Sequence, residues 1–515
     1  MAEIWSLCLT ASGVGACALT LDASHRTCHE TLPQTRTLQT FAYSPDALFK
    51  SLANCFDFLG SSGERPLVIC FCSDRSACLV DRRGEPVSPI MTELPLTIPR
   101  RDVPQLFADD AHLFSAYRSS LLRRLQLSLP LLGQESPLGL SSAAALVIRA
   151  LTGAHADIEP PLGAPATYPW PGNDNARDML FKAMGVKQEL SSLRARAGRP
   201  LSNVTALEPI PHFALPIDDW RSKLAGTPVF HMGAREACAA YACAADPLSW
   251  ACSLGWIASA QWTASSTACS AYEIIVKDHH DADQLNPGQR DEQNHKTQEL
   301  TRDEWTRHIS ENIDLNIVPG ARRNDSGYLL KTTSYRTCVL DSALTHIKSS
   351  FDAAQCDSPW FAEDMLALVP VGSQGLHILN TANGLQFVGL TSAHSDAHLI
   401  RATFESQAYA IRSWRDQTAI DGLGPIRATF SQPWDISCAQ VLCDIIAAPI
   451  FVIDEDEAAL AALGAAVALA RDLDISSPNA APHVTAWQLT PSSQTATLYH
   501  THARIHSRIQ SKLDF

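Results

Sequence analysis

The chain has 515 residues, of which 46% are hydrophobic and 18% charged. This balance excludes a disordered chain, and the length exceeds what one core ordinarily serves, so two domains are expected. Acidic side chains number 54 against 40 basic ones, a formal charge of −14 with no basic cluster, which excludes nucleic acid as a main partner because phosphate backbones demand a basic face.

Residues 4–9 and 16–21 are short apolar runs separated by Ala11, Ser12, Gly13, Val14 and Gly15, a β-hairpin pattern. This opening segment has no basic start and no run long enough for a bilayer, so it reads as a strand pair and not a signal peptide. Ser44-Pro45-Asp46 supplies an N-cap with proline at the first helical position, and Leu48, Leu52, Cys55, Phe56 and Leu59 follow at helical spacing. Residues 66–72 read as a buried strand that points Cys70 and Cys72 to one side, and 77–81 as another. Residues 141–152 form an apolar helix capped at Ser141-Ser142 and stopped by Gly153. Strands alternating with helices predict an α/β protein.

A further apolar run, 228–232, leads into the alanine-rich stretch 237–245, which Asp246-Pro247 breaks. The domain boundary is placed there, giving a first domain over 1–245, a second over 246–480 and an extension over 481–515. Residues 277–311 are nearly all polar and read as an exposed insertion within the second domain. Ser392 or Ser395 caps a helix that carries Ile400, Phe404, Ala408 and Ile411 on one face. Helices at 438–447 and 457–472 flank a strand at 450–453. A strand-like run at 485–489 precedes a basic tail to which no element is assigned. No internal repeat is visible.

Fifteen cysteines are scattered without a CxxC pair, and read as buried free thiols of a reducing cytoplasm. His279, His280, Asp281 and Asp283 match no metal motif, and no metal site is expected. No GxSxG, P-loop or GxGxxG is present.

Several segments share their order and wording with one family. They are Arg149-Ala150-Leu151-Thr152-Gly153, Thr227-Pro228-Val229 ahead of Gly233, Leu254-Gly255, Gly389-Leu390-Thr391 with Arg401-Ala402-Thr403-Phe404-Glu405, and Ala448-Pro449-Ile450 followed by 457–470. From about residue 4 to residue 475 the series resembles the FGGY family of carbohydrate kinases, its xylulokinase-like branch most closely. The resemblance implies two actin-like ATPase (ribonuclease H-like) α/β domains flanking a cleft for ATP and sugar.

Phosphoryl transfer is mostly positioning and charge stabilisation, so each part of such a kinase can be sought in turn. The family's phosphate hairpin, D-x-G-T-[TS], falls on Thr10, Ser12, Gly13 and Val14: the acid is gone and one hydroxyl has become an isopropyl group. Gly13 and Gly15 are read first as the hairpin turn and secondarily as an anion cradle. The catalytic aspartate falls on Arg235, whose guanidinium stays protonated and cannot act as a base. Glu236, one residue on, is a weak substitute.

The second nucleotide loop reads Leu254-Gly255-Trp256-Ile257 where the family has two small hydroxyl residues. The adenine-side glycines become Phe430, Ser431 and Gln432. Sugar-site positions fall on Asp74, Arg75 and Glu93, with altered chemistry.

Framework segments stay readable while the functional loops do not. The expectation is a kinase-like protein without catalysis, a pseudokinase with a binding or scaffolding role, cytoplasmic, with no cofactor. A protein partner, a second copy of the chain or a small carbohydrate is its expected partner, and neither nucleic acid nor membrane. The alternative is an active ATP-dependent kinase that uses Mg-ATP on a pentose or polyol, with relocated chemistry at Glu236 or Asp74.

Overall fold

A computed structural model describes most of residues 3–92, 139–158, 193–204 and 217–242, the strands within 250–334, and most of 366–513. The polar stretch 277–311 lies outside the described residues.

β1 (Glu3–Leu9), β2 (Gly13–Thr20) and β3 (His25–Thr31) form an antiparallel meander. α1 (Pro45–Leu59) begins where the cap predicts: Ser44 Oγ accepts from the Ala47 N–H at 3.1 Å, and Pro45 occupies a position whose N–H has no helical partner anyway. β4 (Pro66–Ser73) runs parallel to β1. α2 (Ala143–Thr152) is capped by Ser142 and ended by Gly153 in the left-handed conformation. After β5 (Pro200–Asn203) and α3 (Asp218–Leu224), β6 (Pro228–Ala234) adds parallel to β4. The sheet order is β5-β6-β4-β1-β2-β3.

A second sheet follows. Its members are β7 (Trp250–Leu254), β8 (Ile257–Ala264), β9 (Asn316–Pro319) and β10 (Gly327–Ser334). A hairpin, β11 (His377–Thr381) and β12 (Gly384–Val388), leads to α4 (Asp396–Gln417). Then come β13 (Ile426–Phe430), α5 (Ile436–Ile446), β14 (Ile450–Ile453), α6 (Glu457–Asp472), β15 (Ala486–Leu489) and α7 (Ser493–Leu513). The order is β9-β10-β8-β7-β13-β14-β15.

The two sheets share one wiring. In each, three antiparallel strands are followed by two that join the first of them in parallel: β3-β2-β1-β4-β6 and β10-β8-β7-β13-β14. The repeat lies in topology, which constrains only where apolar residues fall, and so it leaves no repeated wording.

Both faces of the first sheet are covered, which is why β4 reads as a continuous apolar run. On one face Trp5, Ile69 and Phe71 meet Phe56 of α1 and Leu146 of α2. On the other, Cys8, Cys17, Cys70, Cys72 and Phe230 meet Leu460, Leu463 and Val467 of α6, so a helix from late in the sequence completes an early core. Cys70 and Cys72 share that face, as expected. The nine cysteines whose side chains are described are all free thiols, buried except for Cys28.

Ile400, Phe404, Ala408 and Ile411 are buried along α4 as predicted. The basic tail is a correction: it is the 21-residue helix α7. Tyr499, Ala503 and His506, three positions at helical spacing, turn inward. Tyr499 docks into a buried polar knot. Its hydroxyl accepts from Arg401 Nη2 at 2.9 Å and donates to Glu405 Oε1 at 3.1 Å. Glu405 also accepts from Arg401 Nε, the Gly372 N–H and Ser373 Oγ, and Arg401 Nη1 donates to the carbonyls of Leu366 and Val369. Among the described residues, no helix is long and apolar enough to cross a membrane.

Candidate functional site

In open α/β sheets ligands gather outside the carboxyl ends of parallel strands. Here β1, β4 and β6 end side by side, with Leu9 and Ala234 both register partners of Ser73. Thr10 and Arg235 follow directly on two of those ends.

Thr10 is buried, and its hydroxyl is engaged by the turn itself. Oγ1 donates to the Gly13 carbonyl at 2.8 Å and accepts from the Gly13 N–H at 2.9 Å. The turn is shorter than the sequence suggests, so Gly15 lies inside β2 and not in the turn. Both glycines are places of close approach. A Cβ on Gly13 would collide with the His29 imidazole and the Glu30 carbonyl; one on Gly15 would collide with the Ala458 carbonyl and the Ala459 nitrogen at the start of α6. Val14 turns the other way, into the core with α1.

The segment ahead of α6 is tied to β3. His29 Nδ1 lies 3.6 Å from Asp456 Oδ2, Thr27 Oγ1 is 3.4 Å from Glu455 Oε2, and His25 Nε2 is 4.0 Å from Glu455 Oε1. Asp456 in turn caps α6, its Oδ1 accepting from the N–H groups of Ala458 and Ala459 at 2.8 and 3.2 Å.

Arg235 faces the next residue of that helix. Its Nη1 lies 3.1 Å from Glu457 Oε2, and the two side chains are only 11% and 3% exposed. A charge pair so withdrawn from water is held by its own geometry, with each partner compensating the other. The carboxylate also sits at the positive end of α6. His29, Asp456 and Glu457 are site residues that sequence reasoning missed as such. Their signal is the acidic run 454–457 immediately ahead of an alanine-rich helix.

His231 of β6 is fully buried. Its Nδ1 accepts from the Gly233 N–H at 2.9 Å, and its Nε2 meets no hydrogen-bond partner among the described residues. Burial pushes its pKa from 6.5 down to about 3. The unfolded chain takes up this proton as pH falls through 6.5, whereas the folded chain resists it until about 3. The histidine therefore costs nothing above pH 6.5 and withdraws stability progressively as pH falls toward 3. Urea midpoints at pH 7 and pH 5 are expected to diverge in the wild type and the gap to narrow in His231→Gln, where buried His506 still resists protonation until about 4. An unchanged gap between the two pH values in the variant would refute this assignment.

The sheet topology joins two other predicted positions. Leu254 and Phe430 are register partners at the ends of the parallel strands β7 and β13, and Ile257 opens β8, so these two strand ends lie side by side. Gly255, Trp256, Ser431, Gln432, Ser12, Asp74, Arg75, Glu93 and Glu236 lie outside the described residues. Among the described residues, no group of three or more His, Cys, Asp or Glu side chains could hold a metal ion.

No family model matches the chain, and no curated protein matches it in sequence. Solved structures do match it, over its whole length. The xylulose kinase from Rhodospirillum rubrum aligns with a TM-score of 0.60 at 16% identity, covering 99% of each chain. The ligand-bound xylulose kinase from Lactobacillus acidophilus aligns at 0.58 and 13% identity, over 100% of this chain and 98% of that one. The glycerol kinase from Plasmodium falciparum aligns at 0.59 and 12% identity, over 99% and 98%. At these identities the likeness is one of fold, and the fold is the expected one: that of sugar kinases with two actin-like ATPase domains.

Proposed function

We propose that this chain is a carbohydrate-kinase-like protein that does not transfer phosphate, a pseudokinase whose role is to bind or scaffold. The observation that carries the reading is the buried Arg235–Glu457 pair. It puts a permanently cationic, already compensated group where the resemblance calls for a carboxylate that accepts a hydroxyl proton. The hairpin supports the same reading. The space beside Gly13 and Gly15 is taken by the His29 ring and by the backbone of α6, and the Thr10 hydroxyl closes its own turn. These residues do not fit a nucleotide phosphate or its Mg ion, so neither Mg nor ATP is assigned to the hairpin.

The partner in this reading is another protein or a second copy of the chain, with a small carbohydrate as a further ligand, and the setting is cytoplasmic. Calorimetric titration with Mg-ATP at millimolar concentration is expected to give no heat, and an ADP-release assay across pentoses and polyols no turnover. Binding accompanied by sugar-dependent ADP release would overturn the proposal in favour of an active ATP-dependent kinase using Glu236 or Asp74.

A further inference from the structure

We propose that Cys28 and Cys55 form a thiol-modification site that closes to an intramolecular disulfide when the protein meets a low-molecular-weight disulfide. Cys28 lies on β3, the edge strand of the first sheet, and Cys55 on α1, which packs across that sheet. Alternation along β3 turns Cys28 toward α1, where it packs against the core cluster that contains Cys55. Its neighbours on the same face of β3 reach α1 on either side of Cys55: Arg26 donates to the carbonyls of Phe58 and Leu59 at 3.4 and 3.1 Å, and Glu30 accepts from Asn54 Nδ2 at 3.0 Å, which sets Cys28 opposite Cys55. Cys55 Sγ lies 3.6 Å from the Val14 carbonyl, which holds it in place. Closing the pair needs an S–S bond of ~2.05 Å with the two Cα atoms about 4.4–6.8 Å apart, a span that neighbouring positions on a packed strand and helix can meet.

The pair is asymmetric. Cys55 is buried, whereas Cys28, of the nine cysteines whose side chains are described, is the one that is not. The contact with Cys55 draws the Cys28 thiol below its ordinary value; burial and Glu30 oppose this, and Arg26 aids it. The same contact, together with burial, pushes the Cys55 thiol up. A partly exposed cysteine beside a buried one is the arrangement of an attacking and a resolving thiol.

The exchange balances as two displacements. The Cys28 thiolate attacks one sulfur of glutathione disulfide, forming a mixed disulfide and releasing one glutathione thiolate. Cys55 gives up its proton to solvent and attacks the Cys28 sulfur, forming Cys28–Cys55 and releasing the second. The protein loses two electrons and two protons, and one glutathione disulfide becomes two thiols.

The test incubates the reduced full-length protein with glutathione disulfide, alkylates the remaining thiols under denaturation, and maps peptides without reduction. The expected product is one Cys28–Cys55 linked pair, reversible by dithiothreitol. In Cys55→Ser the reaction should stall as a glutathione adduct on Cys28; in Cys28→Ser, Cys55 should be recovered unmodified. The wild-type map decides the matter even if a variant fails to fold. A stable glutathione adduct on wild-type Cys28, a bond from Cys55 to a different cysteine, or full alkylation of both after exposed thiols have reacted would each overturn the proposal.

Discussion

Glu405→Ala is expected to destabilise the protein by about 3–5 kcal/mol, the cost of leaving one member of a buried charge pair without its partner. Glu405 is 2% exposed and takes four hydrogen bonds, from Arg401, Tyr499, Ser373 and the Gly372 backbone. Its removal leaves the Arg401 cation buried and the Tyr499 hydroxyl without an acceptor. Because Tyr499 belongs to α7, the effect should be felt first where that helix docks. Limited proteolysis should cut near residue 490 in the variant under conditions that leave the wild type whole. Denaturant unfolding measures the total, and a loss below about 1 kcal/mol would mean the knot is not the structural hub its geometry describes.

Glu457→Ala should cost a similar amount, about 3–5 kcal/mol, for the same electrostatic reason at a different place. The informative comparison is with the double substitution Arg235→Met, Glu457→Leu. Removing both charges and filling the space with apolar atoms should recover most of the loss, because neither remaining group is then buried unpaired. If the double variant is as unstable as the single one, the pair contributes through something other than mutual compensation. The Glu457 charge at the start of α6 then carries part of the loss, up to ~2 kcal/mol at a buried helix terminus.

Elements whose cause is local were legible in the sequence. Ser44-Pro45 and the stripe from Leu48 to Leu59 predicted α1, and Ser142 with Gly153 bounded α2. The helix Glu457–Asp472 was visible from its alanine-rich composition. Its destination was not. Helical pattern says that a face is apolar, but not which sheet the face will meet, and α6 packs on strands more than 380 residues earlier. The helix α7 was overlooked because charged and polar residues dominate it, and only Tyr499, Ala503 and His506 carry the inward period.

The same distinction divides the site. That Arg235 cannot act as a base follows from the residue itself, whereas its partner lies 222 positions away and nothing in the local pattern announces it. Gly13 and Gly15 looked like turn residues because turns are the usual reason for glycine. Their actual reason is the approach of His29 and of the α6 backbone, which only the assembled sheet reveals.

The late arrival of α6 bears on how the protein is made. When a ribosome has delivered β6, the first sheet has all its strands, but the face that carries Cys8, Cys17, Cys70, Cys72 and Phe230 is still without α6. At synthesis rates of about 5–20 residues per second, the roughly 220 residues that separate β6 from α6 take roughly 10–45 s to emerge. For that interval the nascent chain carries an unfinished apolar face, a surface on which a holding chaperone would act.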